Sequence, residues 1–309
     1  MDTLSTHCII KNAFLVQATT GFLANISFLF FLIFILLQDH RPKPHDLISC
    51  HLAFIHVVML LTVVLTSSQN TFESLRFLND FKCKTLFYIN RVVRGLSICT
   101  TCHLSVFQAI TISPSTSWLS KFKHKFRNNI ISVCLFLWPL NLSFSGNMIF
   151  FTVAAFNVTQ TNLLKATTYC SISPMNAIIR GVFLTLILSR DAFFVGIMLI
   201  SSAYMVVFLS RHQRQSQNLH GTSLSPRVSP EKRATQTILL LVSFFVVTYL
   251  VDLIISASSS HRWMYSPLIL SIQNLVVHAH ATVVPLVQIC SDKRMMDILQ
   301  SMQPECNQF

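Results

Sequence analysis

The chain has 309 residues, of which 52% are hydrophobic and only 11% charged, with 26 Phe, six Gly and a net charge of +12. That balance excludes an ordinary soluble domain, in which about 25% of residues are charged, and equally a disordered chain or a collagen. A nucleic-acid binder would explain the charge but not the apolar runs, so lipid is the solvent for most of the sequence.

A membrane-spanning helix needs about 20 mostly apolar residues. The first candidate, 13–37, has no small-residue cleavage site and is too long for a signal-peptide core, so it reads as a retained helix. The second, 47–66, follows a connector containing Pro42 and Pro44. The third, 84–112, is ended by Pro114, and the fourth covers 129–151. The fifth covers 181–209, and the sixth, 236–257, follows a long link containing Gly221, Pro226 and Pro230. The seventh, 265–290, contains Pro285, which removes a backbone hydrogen bond and is expected to kink it. The predicted fold is an all-α membrane protein: one seven-transmembrane helix bundle occupying 1–309, with no repeat and no soluble domain.

Lys and Arg set the orientation, because short loops rich in them stay in the cytoplasm. Thirteen fall on one side: Arg41, Lys43, Lys121, Lys123, Lys125, Arg127, Arg211, Arg214, Arg227, Lys232, Arg233, Lys293 and Arg294. Seven fall on the other, and Arg91, Arg94 and Arg190 lie within spans. The amino terminus is therefore expected outside and the carboxyl terminus inside. The net charge becomes a topology signal with some attraction to anionic inner-leaflet lipid, not a sign of nucleic acid.

Asn157-Val158-Thr159 is an acceptor sequon placed outside by this topology, whereas those at Asn25 and Asn141 sit at membrane depth. Of nine Cys, only Cys8, Cys83 and Cys170 fall on the oxidising side, which leaves three possible pairings or three free thiols. Cys99 and Cys102 form a C-x-x-C within the third helix, without a second pair or a redox-fold pattern, and read as packing residues.

Five ionisable residues interrupt the spans: Arg91, Arg94, Arg190, Asp191 and Asp252. Each costs about 2.5–3.5 kcal/mol on insertion scales, so each is expected to face protein or water. All five occupy the outer half, Arg91 and Arg94 about 12 and 16 Å below Cys83. Arg91 and Arg94 share a helix face, while Arg190 and Asp191 are adjacent and diverge by about 100°. The functional reading is a polar cavity open to the outside, with a net interior charge of +1, that receives a small molecule. The competing reading is that these charges pair only to fix helix packing. The inner half has no matching ionisable track, which opposes a conduit. His51, His56, His103, His278 and His280 lack the spacing of a helical zinc pair and are expected to hydrogen-bond between helices. No H-E-x-x-H, G-x-S-x-G, Walker A or Rossmann glycine pattern is present, so neither a catalytic site nor a cofactor is predicted.

Several stretches resemble the vomeronasal type-1 receptors. They are Arg94-Gly-Leu-Ser-Ile-Cys-Thr-Thr-Cys102, Ser105-Val-Phe-Gln-Ala-Ile-Thr-Ile-Ser-Pro114, Arg190-Asp191, Ser229-Pro-Glu-Lys-Arg-Ala-Thr235 and Ala281-Thr-Val-Val-Pro285, with coverage from about residue 13 to 294. The resemblance implies a G-protein-coupled chemoreceptor in the plasma membrane of sensory neurons. It implies a small pheromone-like ligand, a heterotrimeric G protein of the inhibitory class, and a Cys83–Cys170 disulfide. The G-protein-facing surface would include Gln108, Lys121, Lys123, Lys125, Arg127, Arg211, Arg214, Lys232 and Arg233, although topology alone also accounts for the basic residues.

The chain departs from the wider rhodopsin-like pattern. Phe107, Gln108 and Ala109 hold the place of the Asp-Arg-Tyr triplet, His56 that of the helix-two Asp and Val251 that of the helix-six Pro; His103 stands where family members usually carry Leu. A bitter-taste-type receptor would lack the helix-three block, and a small channel or transporter would favour inverted repeats or a polar track, neither of which is seen.

Overall fold

In lipid every backbone N–H and C=O must be bonded within its own segment, so long uncharged runs become helices. The computed structural model describes residues 2–38, 44–67, 76–114, 120–146, 149–150, 152–154, 164–165, 170–172, 176–219, 230–262, 267–292 and 294–297. Its helices are α1 (Asp2–Gln38), α2 (Pro44–Ser67), α3 (Arg76–Ile112), α4 (Ser120–Asn128), α5 (Ile130–Ser145), α6 (Ala177–Leu219), α7 (Pro230–Arg262) and α8 (Pro267–Ser291). Six of them, α1, α2, α3, α6, α7 and α8, are long and apolar enough to cross a membrane.

The apolar helix α5 is shorter, 16 residues or about 24 Å. The helix expected over 129–151 is interrupted at a turn in which Gly146 N–H donates to Ser143 O at 3.3 Å, and residues 149–150 are helical again. The uncharged sequence then enters a strand at Thr152, a change that hydropathy alone does not signal. Strands β1 (Thr152–Ala154), β2 (Leu164–Lys165) and β3 (Cys170–Ile172) form an antiparallel sheet in the order β1-β3-β2. Ala154 lies opposite Cys170, and β1 packs on α3. This sheet is an addition to the all-helical expectation, made of segments too short to show an alternating pattern. The helix α4 is a second addition: its run of Lys residues masks an amphipathic turn pattern.

Several helices outrun their apolar segments. The 37-residue α3 starts at Arg76 rather than 84, so Cys83 lies two turns inside it, and the 43-residue α6 runs to Leu219. Pro230 opens α7, where its missing N–H costs no intrahelical bond. The helix α8 continues through Pro285.

The helix α3 is the hub. Of its most apolar stretch 83% is buried, against 22% for α1 and α6, and it packs against α2, α5, α6 and α7. Helix α8 fits between α1 and α7 and closes the ring. The core along α3 includes Leu96, Ile98, Leu104, Met198, Phe245 and Val284, all buried. The outward faces are equally apolar: Phe30, Phe136, Ile200 and Val247 are 58–72% exposed, the pattern of a lipid-facing surface. Small residues permit close crossing. A methyl at Gly21 would lie 2.5 Å from Thr282 Oγ1, and one turn on Asn25 Nδ2 donates to Ala281 O at 2.8 Å, tying α1 to α8.

Candidate functional site

Around the middle of α3, the intramembrane charges resolve into two pairs and one remainder. Arg94 of α3 donates to the Asp252 carboxylate of α7 in a direct ion pair, and Gln273 Nε2 of α8 donates to Asp252 Oδ1 at 2.9 Å and to Ser256 Oγ at 2.8 Å. One buried carboxylate therefore joins three helices, while the Arg94 side chain keeps 35% of its surface exposed.

The second pair lies within α6. Arg190 Nε and Nη2 donate to Asp191 Oδ1 at 2.8 and 2.6 Å. The two positions diverge around the helix as expected and make their outer contacts with different helices, but the long guanidinium arm also folds back onto the neighbouring carboxylate. The remaining contacts are interhelical. Arg190 Nη1 donates to Asn141 Oδ1 of α5 at 2.9 Å, its Cζ lies 5.7 Å from the Phe144 ring centroid, and Tyr249 OH of α7 donates to Asp191 Oδ2 at 3.4 Å. Asn141 is positioned by its own helix, its Nδ2 donating to Leu137 O at 2.8 Å.

Gly95 makes this arrangement possible. A methyl there would overlap Asn141 Oδ1 and lie 2.6 Å from Arg190 Nη1. A side chain at this position, within the same Arg94–Cys102 block, would displace the tip of Asn141 or of Arg190.

Arg91 is the remainder. Half-buried on α3, it has no hydrogen-bond or ion-pair partner among the described residues, although it shares the electrostatic field of Arg94, Arg190, Asp191 and Asp252. With four charges paired, the net +1 is localised there.

A cleft of about 30 Å³, room for one or two water molecules, is lined by Arg94, Ser97, Thr248, Tyr249, Asp252 and His280 among others. Its floor is polar and aromatic: His56 Nε2 lies 3.0 Å from Ser97 Oγ, and the His280 ring stands edge-on to His56 and Phe245 with centroids 5.4 and 4.8 Å away.

The expected histidine bridging is seen for α2. Trp138 Nε1–H of α5 donates to His51 Nε2 at 3.1 Å, which leaves the ring proton on Nδ1, facing Thr100 Oγ1 of α3 at 3.3 Å. His278 instead turns back on its own helix, 2.7 Å from Asn274 O. No cluster of three or more His, Cys, Asp or Glu fit for a metal occurs among the described residues. Cys99 and Cys102 are buried free thiols, whereas Cys83 is disulfide-bonded.

At the opposite, α4 end, Gln108 is buried and donates from Nε2 to Thr235 Oγ1 of α7 at 2.9 Å. It does not lie open to a partner, as its place in the sequence had suggested. Ser105 and Ser113 reach Ser201 and Tyr204 of α6 at 2.7 and 3.0 Å. Lys121, Lys125 and Arg127 on α4 and Arg211 and Arg214 on α6 are exposed, while Lys123 Nζ donates to Thr111 O at 3.0 Å. The side chains of Lys232, Arg233 and Cys170, and all of Asn157, lie outside the described residues. Arg294 donates to Asp46 at 2.9 and 3.1 Å and to Asp292 at 2.8 Å. Hydrogen bonds to Asp292 and then Asp46 hold this guanidinium above its ordinary pKa and keep it charged.

Sequence reasoning found the charged members of these networks and missed Gln273, Asn141 and Tyr249. The relevant signal was available for Asn141: an amide at membrane depth needs a partner whether or not it belongs to a sequon.

Comparison with known proteins bears on these arrangements. Residues 8–301 match the model of the vomeronasal organ pheromone receptor family. Vomeronasal type-1 receptor 90 of Rattus norvegicus is 43% identical over 291 residues, covering 94% of this chain and 93% of the relative. Vomeronasal type-1 receptor 45 of Mus musculus is 40% identical over 297 residues, covering 96% and 93%. A match of this extent, carried along the length of the helix bundle, places the chain in the vomeronasal type-1 receptor family, whose members are membrane receptors and not enzymes.

Proposed function

We propose that this chain is a chemosensory G-protein-coupled receptor of the plasma membrane, crossing seven times, with α5 as the fourth span. The amino terminus and sheet end face outward and the α4 end faces the cytoplasm. The observation that carries the reading is that α3 and α7 are joined at two levels: Arg94, midway along α3, to Asp252, and Gln108 to Thr235 about 21 Å away along α3.

A small pheromone-like ligand enters the cleft beside Arg94 and Asp252, with Arg91 and the Arg190–Asp191 pair as further candidate contacts. The cleft as packed is smaller than an organic ligand, so binding widens it. A ligand that competes for Arg94 or Asp252 changes the stability of the α3–α7 joint and shifts the bundle toward a state in which the Gln108 joint opens. The shift equals the ligand's difference in affinity between the two states. The surface uncovered, with the basic rim Lys121, Lys123, Lys125, Arg127, Arg211, Arg214, Lys232 and Arg233, meets a heterotrimeric G protein of the inhibitory class. The backbone of Cys170 sits in a sheet packed on α3, which supports Cys83–Cys170 as the disulfide, and Asn157 is the glycosylation site.

The test is a ligand screen in cells co-expressing an inhibitory-class G protein. We expect a ligand-dependent fall in cyclic AMP or rise in calcium that is lost on inactivating the G protein. Ligand-independent current or solute uptake would favour a channel or transporter and overturn the reading.

A further inference from the structure

The helix α4 and the start of α5 carry a feature that receptor coupling does not explain. Phe122 and Phe126 are one turn apart on α4 and share a face, but their surroundings differ. Phe126 is half-buried in the core, its ring centroid 5.6 Å from that of His103. This contact and the Lys123–Thr111 bond fix α4 against α3. Phe122 is 47% exposed and, with Lys125, Phe126, Asn129 and Val133, frames an open groove of about 240 Å³. On α5, Phe136, about 60° round the helix from Val133, is 64% exposed, so the groove lies beside a lipid-facing side chain.

The exposed charges of α4 itself are of one sign. Lys121, Lys125 and Arg127 are exposed, Lys121 one turn before Lys125 on the same stripe, and the sequence has no Asp or Glu between Asp80 and Asp191. An apolar slot one turn into an apolar helix, with exposed lysines beside it that make no ion pair among the described residues, complements an amphiphile with an acidic head.

We propose that the α4–α5 groove binds an anionic phospholipid, its acyl chain along Phe122, Phe126 and Val133 and its phosphate-bearing headgroup between Lys121 and Lys125. This goes beyond the receptor reading in assigning those two lysines to lipid before any protein partner. It needs no assumption about which face of the membrane α4 occupies.

The test uses the purified full chain, without G protein, in mixed micelles with phosphatidylserine or phosphatidylcholine, and reads retained lipid by native mass spectrometry. Each lysine near an anionic headgroup contributes about fivefold in affinity, so Lys121→Gln with Lys125→Gln should lower phosphatidylserine retention roughly 25-fold and leave phosphatidylcholine unchanged. Val133→Trp, which fills the slot and keeps the charges, should also reduce it. Equal retention of the two lipids by the parent chain, or unchanged phosphatidylserine retention in the lysine variant, overturns the proposal. Because micelles have no sides, failure of the orientation reading leaves this result intact, and the two are distinguishable.

Discussion

Gly95→Ala tests the packing of the intramembrane charges. The added methyl would overlap Asn141 Oδ1 and stand 2.6 Å from Arg190 Nη1, where those two atoms now bond at 2.9 Å. Both cannot stay. Either Asn141 turns away or Arg190 withdraws, and one charge-assisted hydrogen bond worth about 1.5–3 kcal/mol is lost. Against this stands the gain from replacing a helical Gly by Ala, up to about 1 kcal/mol. The net loss is about 0.5–2 kcal/mol. Gly196 on α6 supplies the control, since nothing lies within 4 Å of where its methyl would go, and Gly196→Ala should raise stability slightly. The assay is thermal unfolding of the purified chain in detergent, repeated with each substitution in an Asn141→Ala background. Removing Asn141 takes away most of the overlap, so Gly95→Ala should cost much less there. Equal costs in the two backgrounds, or Gly95→Ala behaving like Gly196→Ala, would refute the claim that Gly95 exists to admit Asn141 and Arg190.

Arg94→Ala should weaken ligand response more than surface expression, and Asp252→Asn should be strongly non-additive with it; equal potency at matched surface level would defeat this. Gln108→Leu and Thr235→Val each remove one neutral hydrogen bond, about 0.5–1.5 kcal/mol, and should raise ligand-independent G-protein signalling by about two- to tenfold; unchanged basal signalling would show that the joint does not restrain α7. Cys83→Ser, Cys170→Ser and the double variant should lose surface expression to the same extent, because one bond is broken in all three. A further loss in the double variant would mean that the two thiols act separately.

What was legible in the sequence follows from which features carry a penalty in lipid. A charge at membrane depth is conspicuous because it is expensive, and so the Arg94–Asp252 and Arg190–Asp191 residues could be picked out from hydropathy. Neutral polar groups are not conspicuous in that way. Gln273 and Tyr249 enter the networks only because helix packing brings α7 and α8 beside α3 and α6, and no local pattern announces it. The long runs located α1, α2, α3, α6, α7 and α8, yet the end of α5 was hidden because residues 128–164 contain no charge at either the helix or the strand. The same limit applied to Gln108. Its place in the chain put it at the coupling end, but its burial against Thr235 depends on how α7 enters the bundle.

The cleft and the coupling face have their proposed roles only if the two ends of the bundle lie in different compartments. The most direct measurement is antibody labelling of epitope tags fused to the amino and carboxyl termini, on intact and then permeabilised cells. An odd number of crossings with the sheet end outward predicts labelling of the amino-terminal tag on intact cells and of the carboxyl-terminal tag only after permeabilisation. Labelling of both tags, or of the carboxyl-terminal tag alone, on intact cells would contradict it.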